Sequence, residues 1–304
     1  MTVLGGGPTP VGLIGLGAIG RPIGQRLLGA GVPLRVHSRS EAAARDLIRA
    51  GATWCRNPAA ATDGSRLILV AVATDADLDA VLTAPGNLLS AARSGTVVSV
   101  LGTHHPATIR RLAATARAES VDMLDAPVSG GVEGARDGTL TMFAGGDPDV
   151  LDRARDVLEL FARSVILMGP VGSGSVAKAC NQLVVGSTIL AVAEAMTLAR
   201  ASGLDPTLVR DAMAGGYAGS RVLEVHGRRM IDGAFEPGAR IDLHTKDAAI
   251  VLDLARETGV GVDGFQTTAD ALRQAVNAGD GALDHAALIL TVGRRSRRSS
   301  PGSP

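Results

Sequence analysis

A glycine-rich turn set between an apolar stretch and a helical stretch constrains this chain more than any other feature. Residues 11–17 (VGLIGLG) read as a buried strand, and residues 19–31 as a helix that closes at a glycine. The turn between them is a GxGxxG motif, in which the glycines permit a tight bend, a close approach of pyrophosphate and close helix–strand packing. A purely structural turn is the alternative. We predict dinucleotide binding by the whole motif, Gly15, Leu16, Gly17, Ala18, Ile19 and Gly20.

The same alternation of apolar and helical stretches continues to about residue 171. Further strands are predicted at residues 33–39, 66–74, 96–102, 121–129, 139–146 and 164–170, and helices at 41–52, 75–84, 106–120 and 149–161. The stretch 66–74 is apolar almost throughout, as in a parallel sheet covered on both faces. The chain therefore predicts an α/β fold, a doubly wound parallel sheet of the Rossmann type over residues 10–171, after a flexible N-terminus at 1–9.

The second part of the chain has a different pattern, in which only helical segments follow one another. Residues 175–201 keep helical periodicity, with Ser175 as the expected N-cap and Gly203 just beyond the end. At about 1.5 Å per residue this helix is roughly 40 Å long, enough to bridge two domains. We assign a bridging helix, an all-α domain and a disordered tail to residues 172–203, 204–292 and 293–304. The basic tail could instead tether the chain to nucleic acid or a membrane.

Composition excludes several classes of protein. Lys+Arg and Asp+Glu both total 30, so the zero net charge argues against bulk electrostatic binding of nucleic acid. Two cysteines, Cys55 and Cys180, cannot form a disulfide framework or a four-thiolate metal site. The six histidines lack ligand spacing, so we expect no metal. The chain has no run approaching 18 uninterrupted apolar residues and no basic leader, so we expect a cytoplasmic protein that does not bind a membrane.

The end of the second predicted strand indicates which dinucleotide is bound. An NAD site usually carries Asp or Glu here for the ribose 2′-hydroxyl, whereas this chain carries Arg39 between Ser38 and Ser40. A guanidinium flanked by hydroxyl groups suits a 2′-phosphate. We therefore favour NADP, with NAD beside a surface arginine as the alternative.

Two later segments carry groups suited to an acidic substrate and to proton transfer. Ser129, Gly130 and Gly131 follow a predicted strand and can present a hydroxyl and close N–H groups to a carboxylate; a plain turn is the alternative. Lys178 is expected on the first turn of the bridging helix, where the dipole helps to lower its pKa. Asn181 and Gln182 share its helix face.

The scarcity of lysine makes Lys178 and Lys246 conspicuous. The chain has 30 cationic residues and only these two lysines, so 28 are arginines. Arginine cannot release a proton near neutral pH, whereas lysine can once its pKa is lowered. Lysines retained in such a chain are either remnants on the surface or groups whose chemistry arginine cannot replace.

From about Val11 to Leu290 the chain resembles the β-hydroxyacid dehydrogenase family, in the segments GLGAIG, DAPVSGG, GSGSVAKACNQ and Lys246-Asp247. The resemblance implies a hydride transfer between a nicotinamide and a small semialdehyde acid, with Lys178 as the catalytic acid–base. It implies that Ser129, Gly130 and Gly131 bind the substrate carboxylate. For the cofactor it implies Thr103 and Lys246, and we add Ala73 and Thr74. We expect Asn181, Gln182 and His244 at the substrate, and a homodimer or homotetramer formed through the all-α domain.

Finer motifs resemble one branch of the family, tartronate semialdehyde (2-hydroxy-3-oxopropionate) reductase. They are Asn181-Gln182, GGYAGSRVLE at 215–224 and FEPGARIDLHTKD at 235–247. Departures from the usual pattern are Gly102 before Thr103, Ala239, and Asp263-Gly264. Alternatives are a 3-hydroxyisobutyrate or L-threonate dehydrogenase, a non-catalytic cofactor-binding scaffold, and an imine reductase, a class that usually lacks the lysine.

Overall fold

The computed structural model describes residues 9–299 and divides the chain into two compact units. Unit 1 ends at Lys178 and unit 2 begins at Ala179. The predicted bridging helix is present, and the division falls inside it. Residues 1–8 and 300–304, which contain most of the predicted flexible N-terminus and the end of the predicted tail, lie outside the described residues.

Within the described residues, unit 1 is built on a nine-stranded sheet. Its strands are β1 Val11–Ile14, β2 Leu34–His37, β3 Thr53–Trp54, β4 Leu67–Val70, β5 Val97–Val100, β6 Asp122–Asp125, β7 Val128–Ser129, β8 Leu140–Gly145 and β9 Ala162–Gly169. The order is β3-β2-β1-β4-β5-β6-β8-β7, with β9 paired to β8. The pairings from β3 to β6 are parallel, whereas β8 is antiparallel to β6 and β7. The doubly wound prediction is confirmed, with a mixed region that the apolar pattern did not reveal.

The helices of unit 1 pack in two apolar cores, one on each face of the sheet. They are α1 Gly20–Gly29, α2 Arg45–Arg49, α3 Asp75–Thr83, α4 Leu88–Ala91, α5 Pro106–Ala118, α6 Gly131–Asp137 and α7 Pro148–Leu158. Neighbouring residues of one strand enter opposite cores, as Leu13 and Ile14 do on β1. This two-sided burial explains why the parallel strands are continuous apolar runs rather than alternating ones.

Helix α8, Ser173–Ala201, begins earlier than the sequence predicted. Ser175 is therefore the third residue of the helix and not its N-cap, and Lys178 lies in the second turn. The backbone N–H groups of Gly172 and Ser175 each donate to a carboxylate oxygen of Asp125, both at 2.7 Å. Asp125 is fully buried at the end of β6, so one side chain caps the helix and ties it to the sheet.

Glycines make this junction close enough for the carboxylate to reach the helix. A Cβ atom on Gly145 would lie 2.3 Å from Asp125 Oδ1, and one on Gly174 would lie 2.3 Å from the Phe143 carbonyl oxygen. Neither residue can carry a side chain without moving the backbone around it. The start of α8 is thus held against the ends of β6 and β8 by sterics as well as by hydrogen bonds.

Unit 2 is all-α, as predicted. After α8 it contains α9 Pro206–Ala214, a π-helical turn Leu223–Gly227, α10 Arg228–Asp232, α11 Ile241–Thr258, α12 Asp263–Asn277 and α13 Leu288–Ser299. Its core is a separate apolar cluster. Helix α13 continues through residues 293–299, which corrects the expectation that the tail is disordered from residue 293 onward.

Helix α8 is also the one helix, among the described residues, that is long and apolar enough to cross a membrane. Core helices of water-soluble proteins meet the same criteria. Several of its apolar side chains, including Ile189, Ala193 and Met196, are buried in the core of unit 2. The expectation that the protein does not bind a membrane stays a prediction.

The capping carboxylate makes stability depend on pH in a testable way. Burial raises the pKa of Asp125 from 3.8 to about 6, although the Gly172 and Ser175 N–H groups partly oppose this shift. Because the pKa of Asp125 is higher in the folded protein than in the unfolded chain, its protonated side chain stabilises the fold. This contribution is fully present below pH 3.8 and is lost as the pH rises through about 6. The Asp125→Asn side chain does not titrate. The free energy of unfolding of the native protein, relative to that of the variant, should therefore fall by about 2–3 kcal/mol from pH 4 to 8.

Urea unfolding of both proteins across this pH range measures the difference. Asp122→Asn, which replaces a part-exposed carboxylate on the same strand, is the matched control for removal of an acid from β6. A difference between native protein and Asp125→Asn that is constant with pH would contradict the assignment.

Candidate active site

The three glycines of the first turn have separate roles, which the structure distinguishes. Gly15 has a φ of 92°, and a Cβ atom there would lie 2.4 Å from the Ala71 carbonyl oxygen. A Cβ atom on Gly20 would lie 1.9 Å from the Gly15 carbonyl oxygen. Around the Cβ position of Gly17, by contrast, no atom of residues 9–299 other than Gly17 and its chain neighbours lies within 4 Å. Gly15 and Gly20 are therefore required by the protein's own backbone, whereas Gly17 borders open space.

The start of α1 can receive an anion. Its N-cap residue, Ile19, makes no side-chain capping hydrogen bond, and no acidic residue lies in the first turn. The first N–H groups of a helix carry partial positive charge and have no partner within the helix. Together with the space beside Gly17, this arrangement fits the pyrophosphate of a dinucleotide.

The predicted 2′-phosphate residues follow β2 in a short turn. Ser38 Oγ donates to the Ser40 carbonyl oxygen at 2.8 Å, so that hydroxyl stabilises the turn. The Arg39 side chain is 95% exposed, and its Nη1 lies 3.9 Å from Asp77 Oδ1. An ion pair this exposed and this long restrains the guanidinium weakly. Arg39 is thus available to an anion at this edge of the sheet.

The other predicted cofactor residues follow β4 and β5. These strands pair in parallel, with Val70 beside Val100, so the loops after them lie at the same edge as the glycine turn after β1. Thr74 is the N-cap of α3 and accepts from the Asp77 N–H at 3.0 Å. Ala73 and Thr103 lie on the same two loops. The sheet order therefore gathers at one edge the loops that the sequence analysis assigned to the cofactor.

The predicted carboxylate-binding residues lie in unit 1 at the start of α6. Ser129 ends β7, and Gly130 and Gly131 adopt φ angles of 127° and 65°. Such angles are accessible to glycine at little cost and turn the backbone sharply between strand and helix. The expectation that this turn binds a substrate anion stays a prediction.

Lys178 is buried, with 7% of its surface exposed. Its position in the second turn weakens the argument from the helix dipole, which acts mainly within the first turn. Asn181 and Gln182 follow on the same continuous helix, so the predicted spacing of the three side chains is retained. The tie between Asp125 and the start of α8 fixes the backbone that carries Lys178.

A hydrogen-bonded chain in unit 2 includes a residue to which the sequence analysis gave no role, Asp247. Gln182 Nε2 donates to Asp247 Oδ2 at 2.7 Å, and Lys246 Nζ lies 3.0 Å from Asp247 Oδ1. Asn181 Nδ2 donates in turn to Gln182 Oε1 at 3.0 Å. Asp247 therefore fixes the orientation of two side chains that were predicted to act at the site. Its position next to Lys246 was the available signal, but only the fold shows its contact with α8.

Three histidines that looked scattered in the sequence converge in unit 2. His285 Nε2 lies 3.1 Å from His226 Nε2, and His285 Nδ1 lies 3.2 Å from His244 Nδ1. Burial lowers the pKa of His285, and neighbouring His244 and His226 lower it further. His244, expected at the substrate, is thus 96% buried and engaged with another imidazole. Its contact with substrate stays a prediction.

Asp284 completes this cluster. Ligand atoms of His226, Asp284 and His285 lie within 4.8 Å of one another, which corrects the expectation that the histidines lack a ligand arrangement. Asp284 Oδ2 accepts from the Gly238 and Ala239 N–H groups and from Arg229, and Oδ1 accepts from the Ala286 N–H. Burial alone would raise its pKa, but these hydrogen bonds and the nearby His226 and His285 hold the pKa well below its usual range. The carboxylate is thus already neutralised by protein groups, which favours a hydrogen-bonded core over a cation site.

The glycines provide a test of the cofactor edge. We expect Gly17→Ala to change the free energy of unfolding by less than about 1 kcal/mol, since the new methyl group meets no atom. It should nevertheless weaken NADPH binding about tenfold or more, because the pyrophosphate needs that space. Gly20→Ala, the matched variant, should destabilise the fold by about 3 kcal/mol through its backbone clash. Urea unfolding and fluorescence titration with NADPH separate the two effects, and native affinity in Gly17→Ala would refute this placement.

Known dehydrogenase families match nearly the whole chain. Residues 10–169 match the family model described as the NAD binding domain of 6-phosphogluconate dehydrogenase. Residues 172–292 match the model described as NAD-binding of NADP-dependent 3-hydroxyisobutyrate dehydrogenase. The chain is 36% identical over 282 residues to 2-hydroxy-3-oxopropionate reductase from Escherichia coli strain K12, covering 93% of this chain and 96% of that relative.

Two solved structures are similar across both units. The 3-hydroxyisobutyrate dehydrogenase from Salmonella typhimurium has a TM-score of 0.85 at 29% identity, covering 92% of this chain and 98% of that one. Psf3 in complex with NADP+ and 2-OPP has a TM-score of 0.87 at 27% identity, covering 93% and 99%. The resemblance drawn from the sequence motifs is confirmed, and the chain belongs to the β-hydroxyacid dehydrogenase family of NAD(P)-dependent oxidoreductases that act on CH–OH groups.

Proposed function

We propose that this enzyme reduces 2-hydroxy-3-oxopropionate with NADPH, and catalyses the reverse oxidation when product is in excess. The observation that carries the proposal is the buried lysine on a helix whose start is fixed to the carboxyl edge of the sheet. Support for the substrate comes from the branch motifs and from the relative at 36% identity that bears this name. Support for NADPH comes from Arg39, which is exposed at the end of β2.

The chemistry divides between the cofactor and the side chains of this chain. When bound, the nicotinamide supplies the hydride to the carbonyl carbon in reduction and accepts it in oxidation. Lys178 Nζ gives a proton to the substrate oxygen in reduction and removes it in oxidation. The Ser129 hydroxyl and the N–H groups of Gly130 and Gly131 bind the carboxylate and so fix which face of the carbonyl is attacked.

Neighbouring polar residues position the reacting groups. Asn181 and Gln182 hydrogen-bond the substrate hydroxyl and orient Lys178. Asp247 holds Gln182 and Lys246 through its two oxygens, so loss of this carboxylate would leave two polar side chains without their partner. Lys246 is assigned to the cofactor, as the family resemblance implies. His244 is assigned to the substrate because it lies two positions before Lys246.

We also propose that the enzyme is a cytoplasmic homodimer or homotetramer that assembles through unit 2. In the single chain, four large apolar side chains of α8 and the segment after it are more than half exposed: Val184, Leu198, Leu204 and Leu208. Exposed apolar surface on α8 and the residues that follow it supports a surface of unit 2 that is covered by a partner.

The acid–base assignment predicts a loss of turnover with retained binding. Lys178→Ala should lower kcat for 2-hydroxy-3-oxopropionate reduction by about 10²- to 10⁴-fold, because the developing alkoxide loses its proton donor. The Kd for NADPH should stay within about twofold of the native value, because the cofactor is held mainly by the sheet-edge loops. Stopped-flow absorbance at the NADPH band measures turnover, and equilibrium fluorescence measures binding.

Two further variants sharpen this test. Lys178→Arg keeps a positive charge but cannot exchange a proton near neutral pH, so it should be as impaired as the alanine variant. Cys180→Ser, two residues further along α8 and exposed, should behave like the native enzyme. Native turnover in Lys178→Ala would disprove the role. NADPH binding by the native protein without turnover of any semialdehyde acid would instead favour the cofactor-binding scaffold.

The cofactor assignment predicts a change in preference. Arg39→Ala should lower kcat/KM for NADPH about 10- to 100-fold, as expected for a lost charge-assisted hydrogen bond of about 1.5–3 kcal/mol. The value for NADH should change little, since NADH lacks the 2′-phosphate. Arg49→Ala, an exposed arginine of the same βαβ region, is the matched control. Equal losses with both cofactors would rule out a phosphate contact.

A further inference from the structure

The loops that follow β4 and β5 are joined by a hydrogen-bonded His–Asp pair that the proposed mechanism does not use. His104 Nδ1 lies 2.9 Å from Asp75 Oδ1, and the imidazole is completely buried. Asp75 is the first residue of α3, immediately after Thr74, and His104 immediately follows Thr103. The pair therefore connects the residues adjoining two positions assigned to the cofactor.

The same carboxylate also binds the start of α5. Thr108 Oγ1 donates to Asp75 Oδ2 at 2.6 Å, and the His105 N–H donates to Asp75 Oδ1 at 3.4 Å. Burial raises the pKa of Asp75, but the hydrogen bonds from His104 and Thr108 outweigh it and hold the pKa at about 2. Asp75 is therefore a carboxylate at neutral pH, at a helix N-terminus where negative charge is favoured.

Gly102 leaves the space that the imidazole occupies. A Cβ atom on Gly102 would lie 2.5 Å from His104 Nε2 and 2.4 Å from the Val72 carbonyl oxygen. His104 Nε2 is buried and makes no hydrogen bond within the described part of the chain. The imidazole thus fills the space beside Gly102 while its other nitrogen faces Asp75. The absence of a side chain at Gly102 therefore leaves room that the side chain at position 104 fills.

We propose that Asp75 and His104 are positioning residues that hold the two cofactor loops, residues 71–75 and 101–105, in their binding conformation. The inference rests on the proposed function, since that function places Ala73, Thr74 and Thr103 at the cofactor. Thr103 lies between Gly102, which is packed against the Val72 carbonyl, and His104, which is anchored to Asp75. Its backbone is therefore restrained on both sides before any cofactor arrives.

A simple packing role does not account for this arrangement. An aliphatic side chain at position 104 would fill the same volume without the cost of burying a polar imidazole. The pair instead specifies the distance and direction between two loops, which lowers the conformational cost of binding a ligand that contacts both. We therefore expect its loss to weaken cofactor binding more than it weakens the fold.

Direct titration with NADPH tests the proposal without turnover. His104→Leu keeps the apolar volume but removes the donor, and its Kd for NADPH should rise about tenfold. His104→Asn places an amide N–H near the Nδ1 position and should keep Kd within about threefold of the native value. The KM for the semialdehyde acid should change by less than about twofold, since the loops contact the cofactor. Thermal unfolding establishes that each variant is folded at the titration temperature.

An ion pair between α3 and α5 provides the matched control. Arg111 Nη2 lies 2.6 Å from Asp79 Oδ2, one turn further along α3 from the loops. Asp79→Asn also breaks a link between these helices, so it should leave the Kd for NADPH unchanged. If His104→Leu does not fold, Asp75→Asn serves in its place, with the same expected rise in Kd.

The outcomes separate this inference from the proposed function. A native Kd in folded His104→Leu or Asp75→Asn overturns the positioning role and leaves the function intact. An equal rise in the Kd for NADPH in Asp79→Asn also overturns the positioning role, because breaking any link between α3 and α5 would then weaken cofactor binding. A native protein that binds neither NADPH nor NADH overturns the proposed function itself.

Discussion

The carboxylate of Asp125 is the contact on which the rest of the site depends. It is fully buried at the end of β6, yet it accepts hydrogen bonds from the start of a helix that carries Lys178. A buried charge is costly unless donors surround it, and here the helix N-terminus provides them. These hydrogen bonds fix the position of the helix start, because the helix cannot slide along the sheet without leaving the Asp125 carboxylate unpaired. The proton transfer proposed for Lys178 needs that fixed distance.

Glycine has two different functions in this chain, and the surroundings of each Cβ position separate them. Gly15, Gly20, Gly145 and Gly174 allow one stretch of backbone to approach another. Gly17 faces space that, its chain neighbours apart, no atom of the described residues fills, which supports a role in ligand binding rather than in the fold. A motif match alone cannot make this distinction, because all of these residues are equally glycine in the sequence.

Local patterns predicted the sheet, the all-α unit and the position of α8, because apolar periodicity and turn residues act over short stretches. Local sequence patterns do not predict contacts between residues that are far apart in the chain. Nothing near Asp125 shows that it caps a helix that begins 48 positions later. Asp247 reaches Gln182 across 65 positions, and the three histidines of unit 2 come from three separate segments. The first turn of α8 was misplaced for the same reason, since its cap is a side chain from another strand.

The two lysines illustrate how a residue type and its surroundings together decide a role. All cationic residues of the chain except these two lysines are arginines. Lys246 lies 3.0 Å from the Asp247 carboxylate and is placed to hold charge and geometry. Lys178 is buried on a helix whose start is fixed to the sheet, where an amine can exchange a proton and a guanidinium cannot. These surroundings support the acid–base role proposed for Lys178 and suit Lys246 to holding the position of its neighbours.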